Sequence, residues 1–244
     1  MKLFVVGIGP GDHQFLTEQA RNALSISEVI AGYPLYIELI KDLIGNKETI
    51  ATGMRKETER CRSALESAAA GKVTALVCSG DAGVYGMASL VLELAKDFPS
   101  VEIVIVPGLS AALTGAAVLG SPLSCDFAVI SLSDLLVSWE KIEQRLHGAA
   151  SGGFVICLYN PSSHKRSDYL ERACSIVLQH RSPAVVCGIV RNIGRNGEES
   201  RLLTLSELKT TDVDMFTTVF IGNDTTENIN GKMVTLRGYH AKGD

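Results

Sequence analysis

Short apolar runs alternate with amphipathic stretches along the first half of the chain. Residues 3–8 are apolar through Ile8 and run into glycine, the pattern of a buried strand. Phe15, Leu16, Ala20 and Leu24 recur at helical spacing and predict a helix over residues 13–25. A brief strand at 29–31 precedes Gly32, and helices are expected at 36–44 and, in a more charged form, at 55–70. The alternation then continues with a strand at 73–78, a helix at 84–96, a strand at 101–106 stopped by Pro107-Gly108, and a small-residue helix at 109–119. Strand and helix taking turns in this way predict a parallel sheet with helical crossovers.

The turn-rich segment 120–125 (GSPLSC) sets the expected domain boundary, giving domains 1–120 and 121–244. Beyond it, strands are expected at 127–132, 154–159 and 184–190, with helices at 139–150 and 167–179. The pattern then changes. Strand-like runs at 202–205, 216–221 and 232–236 follow with little helix between them, which implies hairpins and a mixed sheet. The fold class read from these patterns is α/β, with two α/β domains, the first built on a mostly parallel sheet and the second on a mixed one.

Composition narrows the setting. The 244 residues are 46% hydrophobic and carry a net charge of −4, which argues against bulk attraction to nucleic acid. No stretch approaches the roughly 20 apolar residues that span a membrane, and the apolar run at the N-terminus is too short for a signal peptide. The six cysteines are scattered without a C-x-x-C pair, so no protein-bound metal is expected and buried thiols in a reducing cytoplasm are. His13, His147, His180 and His240 stand without companions in sequence and are expected at the surface.

Five segments at strand ends could carry chemistry. The first, VGIGPGD (6–12), resembles a dinucleotide loop, but its third glycine comes one residue early and Pro10 lacks an N–H. Asp12 as a simple helix cap would explain it equally well. The second, SGDAGVYG (79–86), places Asp81 among glycines that permit close backbone approach. Its carboxylate would repel phosphate and suits a ligand with hydroxyls or a positive centre; capping a helix that begins near Val84 is the plainer alternative. The third is VPGLSAA (106–112), with Ser110 and Ala111 at a strand end. The fourth, CLYNPSSHKR (157–166), brings Tyr159 and ends in a basic run suited to acidic groups. The fifth, SLSDLL (131–136), offers Ser131, Ser133 and Asp134, or else another helix cap. Ligands of open α/β sheets bind beyond the carboxyl ends of strands, where all five segments are expected.

Taken in this order, these motifs resemble the tetrapyrrole methylase family, and the resemblance covers essentially the whole chain. GMRKETERC (53–61), SGDAGVYGMA (79–88), DFAVISLSDLL (126–136) and LYNPSSHKR (158–166) look most like its precorrin-3B and cobalt-factor III C-17 branch. Ala82, where many relatives have proline, favours that branch; Cys125 stands where the branch commonly has histidine. The resemblance implies an S-adenosylmethionine-dependent C-methyltransferase of cobalamin biosynthesis, acting on C-17 of precorrin-3B or cobalt-factor III with ring contraction and loss of C-20. It implies a cytoplasmic homodimer with the cofactor in the cleft between two α/β domains and S-adenosylhomocysteine as the released product. Pro10, Gly80, Asp81, Val84, Ser110, Ala111, Tyr159 and Val190 would contact the cofactor. Ser131, Asp134 and His164 are the candidate catalytic groups for the second event.

The substrate of such an enzyme is a polycarboxylate tetrapyrrole, with or without cobalt. Arginine forks suit carboxylates. Arg55, Lys165, Arg166 and Arg191 are therefore the expected contacts to its acetate and propionate arms, with Lys56 and Arg195 nearby in the same motifs. Two other readings stay open: a different tetrapyrrole methylase, and a non-enzymatic nucleotide-binding α/β module. The second would lack methyl transfer and bind NAD or ATP better than S-adenosylhomocysteine.

Overall fold

The computed structural model describes residues 1–163 and 167–239. His164, Lys165, Arg166 and His240 lie outside the described residues. The chain divides into two compact units, Met1–Ser110 and Ala111–Asp244.

The first unit runs β1 (Lys2–Gly7), α1 (Glu18–Ile26), β2 (Val29–Gly32), α2 (Pro34–Leu39), α3 (Lys41–Ile44), β3 (Glu48–Ala51), α4 (Glu57–Ala69), β4 (Thr74–Cys78), α5 (Ala88–Leu94) and β5 (Glu102–Val106). Its five strands are parallel in the order β3-β2-β4-β1-β5. Side chains alternate across the sheet with the period-two rule. Leu3, Val5, Leu76 and Cys78 face α4 and α5, while Phe4, Val6, Ala75 and Val77 face α1 to α3.

Local signals explain the breaks. Thr17 caps α1 by accepting from Ala20 N, so the expected helix at 13–25 splits into a 3₁₀ turn at His13–Phe15 and α1. Asp12 caps that 3₁₀ turn by accepting from Gln14 N. The helix expected from residue 84 begins only at Ala88. β3 was not legible because it reads ETIA and lies largely exposed at the sheet edge.

The second unit runs α6 (Ala111–Leu119), β6 (Gly120–Ser121), β7 (Phe127–Ser131), α7 (Trp139–Ser151), β8 (Val155–Tyr159), α8 (Tyr169–Val177), β9 (Val186–Arg191), β10 (Glu199–Thr204), α9 (Leu205–Lys209), β11 (Thr217–Ile221), β12 (Thr226–Ile229) and β13 (Lys232–Thr235). Its main sheet is mixed, in the order β10-β9-β11-β8-β7. Ile156, Leu158, Val219 and Ile221 face α7, α8 and α9. Cys157, Val190 and Phe220 face α6 and Met233 of the small sheet β12-β13-β6. α6 belongs with this unit because Ala112, Ala116 and Leu119 pack on Phe220. A Cβ on Gly115 would come within 2.9 Å of Ile193 and 3.0 Å of Phe220, so glycine lets the helix lie close to that core.

The histidines are less solitary than expected. His147 Nδ1 and His180 Nε2 lie 2.9 Å apart, and His13 Nε2 sits 2.9 Å from Leu39 O. The loop that carries His13 and the C-terminal turn of α2 meet only in the folded chain, and no sequence spacing announces either contact. No helix among the described residues is long and apolar enough to cross a membrane.

Candidate functional site

Because all five strands of the first sheet are parallel, their carboxyl ends share one edge. There the turns after β1, β4 and β5 meet backbone to backbone. Gly80 N donates to Gly9 O at 2.7 Å and Gly9 N to Gly80 O at 3.1 Å. Both residues hold the left-handed backbone that glycine adopts freely, with φ of 70° and 76°. A Cβ on Gly108 would lie 2.2 Å from Gly80 O, and one on Gly7 would lie 2.7 Å from Gly108 N. The close approach expected of these glycines is therefore first of all an approach of turn to turn.

Asp81 stands in this junction, half-buried. Its Oδ1 accepts from Gly83 N at 2.8 Å and Val84 N at 3.1 Å, and its Oδ2 accepts from Gly108 N at 2.9 Å. The carboxylate thus shapes its own turn and ties the turn after β5 to it. It does not cap α5, whose N-cap is Met87 with no side-chain bond. Each carboxylate oxygen has about two acceptor positions, so Oδ2 keeps capacity for a further donor. Pro10 is buried beside the Gly9–Gly80 bridge, Val84 is exposed, and half-buried Ser110 closes the unit. This lining fits a ligand with an ammonium or hydroxyls and rejects one with a phosphate against Asp81.

On the second sheet β7, β8 and β9 run parallel, and their carboxyl ends again share an edge. Tyr159 Oη accepts from Ala112 N at 2.8 Å, filling one of the open amides in the first turn of α6 that Ala111 begins. Ser131 Oγ accepts from Asn160 Nδ2 at 2.9 Å and from Ser133 N at 3.2 Å. Asp134 Oδ2 accepts from Tyr169 Oη at 2.7 Å, and this bond, with burial next, raises the Tyr169 phenol above its ordinary range. Helix capping at 133 or 134 does not occur, since α7 starts at Trp139 with Ser138 as its N-cap.

Arg191 Nε donates to Asp214 Oδ2 at 2.7 Å. Burial acts to raise the Asp214 carboxyl, but bonds from Arg191, Thr217 Oγ1 and Phe216 N outweigh it and hold the group below its ordinary value. Arg55 is exposed with φ of 63°, and Lys56 pairs with Glu59 at 2.7 Å. Val190 needs correction as a cofactor contact. It has 0% exposure and packs on Phe220 and Ile193 inside the core, so it offers a ligand no surface.

Sequence reasoning passed over Asn160, Tyr169, Asp214 and Arg60. Asn160 had a signal in the Asn-Pro dipeptide, which marks a turn; the structure gives it φ of 53°, the left-handed backbone that asparagine enters more readily than most residues. The other three act through partners remote in sequence.

A family model for Tetrapyrrole (Corrin/Porphyrin) Methylases matches residues 2–209. The "Probable cobalt-factor III C(17)-methyltransferase" of Salmonella typhimurium is 46% identical over 238 residues, covering 97% of this chain and 99% of that protein. The "Cobalt-factor III methyltransferase" of Priestia megaterium is 42% identical over an alignment of 246 positions that covers 99% of this chain and 46% of that longer protein. The crystal structure of the methyltransferase CobJ superposes with a TM-score of 0.88 at 33% identity, covering 96% of this chain and 99% of that one.

Proposed function

This chain belongs to the tetrapyrrole (corrin/porphyrin) methylases, and we propose that it transfers a methyl group from S-adenosylmethionine to C-17 of cobalt-factor III in cobalamin biosynthesis, with contraction of the ring. The observation that carries the cofactor half of this reading is Asp81, a half-buried carboxylate with acceptor capacity to spare at the carboxyl edge of a parallel sheet. The choice of substrate and of C-17 is supported by the names of relatives that match this chain almost end to end.

When bound, S-adenosylmethionine supplies a methyl group already activated on a sulfonium. The task left to the chain is chiefly positioning, which can lower a barrier by up to roughly 7–11 kcal/mol. Asp81 accepts from the cofactor's ammonium or ribose hydroxyls and attracts its positive end. Pro10, Gly80, Val84 and Ser110 are the wall proposed around it, and Ala111 and Tyr159 are further residues proposed for the cofactor. Ser131, which accepts from Asn160, and Asp134, which accepts from Tyr169, are our candidates for moving a proton in the ring-contracting event. His164 is a further candidate for that proton, and Lys165 and Arg166 for the carboxylate arms, all outside the described residues. Arg55 and Arg191 bind carboxylate arms, Arg191 from a position anchored by Asp214. The working form is a cytoplasmic homodimer with no nucleic-acid or membrane partner.

The test is incubation of the purified protein with S-adenosylmethionine and cobalt-factor III, with the product followed by mass spectrometry and NMR. A product with one added methyl at C-17 and S-adenosylhomocysteine in equal amount is expected. Methylation at another carbon would make the chain a different tetrapyrrole methylase. No methylation, with NAD or ATP bound more tightly than S-adenosylhomocysteine, would make it a nucleotide-binding module.

A further inference from the structure

Two buried side-chain polar atoms among the described residues lack a hydrogen-bond partner, Arg60 Nε and Thr52 Oγ1, and their residues touch. Arg60 is 3% exposed on α4, beside the buried Cys61, Ala64 and Leu65. Its Nη2 donates to Thr52 O at 2.9 Å and to Gly53 O at 2.8 Å. Its Nη1 reaches Met87 Sδ at 3.6 Å, and its guanidinium carbon lies 5.9 Å from the centre of the Tyr33 ring. None of the ion pairs found among the described residues involves it.

A buried cation with no counter-charge and an unpaired N–H is costly to fold. Arg181, the other buried arginine among the described residues, spreads its guanidinium over the carbonyls of Gly222, Ala149, Ala150 and Phe154. Arg60 is different in where its contacts lie. Thr52 and Gly53 follow β3, Tyr33 follows β2, and Met87 ends the turn that Asp81 shapes after β4. All belong to the carboxyl edge of the first sheet. Arg60 therefore fastens residues 52–56 to the far end of the Asp81 turn from beneath. That loop presents Arg55, exposed and held at φ of 63°, a backbone that a residue with a Cβ keeps only when its surroundings impose it.

We propose that Arg60 is a positioning residue for substrate binding: it locks the 52–56 loop so that the Arg55 guanidinium is held ready for a carboxylate arm of the tetrapyrrole. The arm-binding half of this inference rests on the methylase reading above; the loop-locking half does not. Loss of the lock should free the loop without disturbing the cofactor site or the core.

The experiment compares the whole protein with its Arg60→Met and Arg60→Lys variants. Arg55 and Lys56 make the loop its own reporter, because trypsin cuts after both. Cleavage at these two sites in the native protein is expected to rise about tenfold in Arg60→Met, because native-state proteolysis follows local opening. Cleavage elsewhere and Tm should stay near wild type, and Arg60→Lys, which can still reach one carbonyl, should fall between. In turnover the KM for cobalt-factor III should rise about tenfold, with kcat and S-adenosylhomocysteine affinity within about threefold of wild type, the signature of lost ground-state binding. Unchanged cleavage at the two sites, or a rise shared by every site together with a lower Tm, would overturn the proposal. So would an unchanged KM beside a freed loop. Should Arg60→Met fail to fold, Arg60→Lys and Arg60→Gln carry the same two readouts. If the wild type does not methylate cobalt-factor III, the methylase reading falls, and proteolysis still decides whether Arg60 locks the loop.

Discussion

Asp81 occupies a turn whose amides could have cradled an anion, and its own carboxylate takes three of them. That single choice takes up the amides that a phosphate would need and puts a negative group in their place. Its position at a strand end was legible in SGDAGVYG. Its bond to Gly108 was not, because the partner lies 27 residues away. Asp81→Ala removes a charged acceptor and is expected to lower stability by about 1–3 kcal/mol as well as weaken S-adenosylhomocysteine binding. Asp81→Asn keeps an acceptor for Gly83 and Val84, so calorimetry should find its affinity for S-adenosylhomocysteine reduced with Tm much less affected. Equal losses in both would reduce Asp81 to a brace of the loop. Asp214 gives a pH-dependent case. Its folded value lies below the ordinary 3.8, so its contribution is fully present above 3.8 and is lost as the pH falls through the folded value. Asp214→Asn should therefore melt below wild type at pH 7, and the gap in Tm should close as the pH is taken well below 3.8.

At the scale of elements, period and length identified most strands and helices, since an apolar run of five or six residues between turn signals has few other readings. The misreadings have physical causes. β3 is an edge strand with little to bury, so it carries no apolar signal. α5 starts late because residues 81–87 are spent on the Asp81 turn, where Tyr85 adopts φ of 53° and Ala82 O accepts from Ala88 N. A β-strand and its turn are separate facts in a sequence, and only packing joins one turn to another. Gly108→Ala tests that joint. Its Cβ would meet backbone atoms of Gly80 and Gly7 that cannot rotate away. Overpacking of this kind costs about 1–3 kcal/mol or more, and chemical denaturation should show it.

At the scale of the whole molecule, five of the six cysteines are buried and Cys125 is partly exposed. Burial pushes the Cys61 and Cys174 thiols up to about 12 and that of Cys78 to about 11, and it raises Cys157 and Cys187 as well. A thiol-specific reagent at pH 8 should therefore label Cys125 alone in the native protein and all six after denaturation; rapid native labelling of Cys78 would contradict the packing of the first unit. The sequence by itself determined the alternation of strand and helix, the change from a parallel to a mixed sheet, and the placing of glycine-rich and polar segments at strand ends. Those properties are local, written in periods of two and 3.6 residues and in the turn chemistry of glycine and proline. Only the tertiary structure decided that three glycine turns interlock around one carboxylate, that Val190 faces the core, and that Arg60 reaches from inside a helix to hold a loop. Each of these depends on which strands lie side by side and on contacts between residues far apart in the chain, and no local period encodes either.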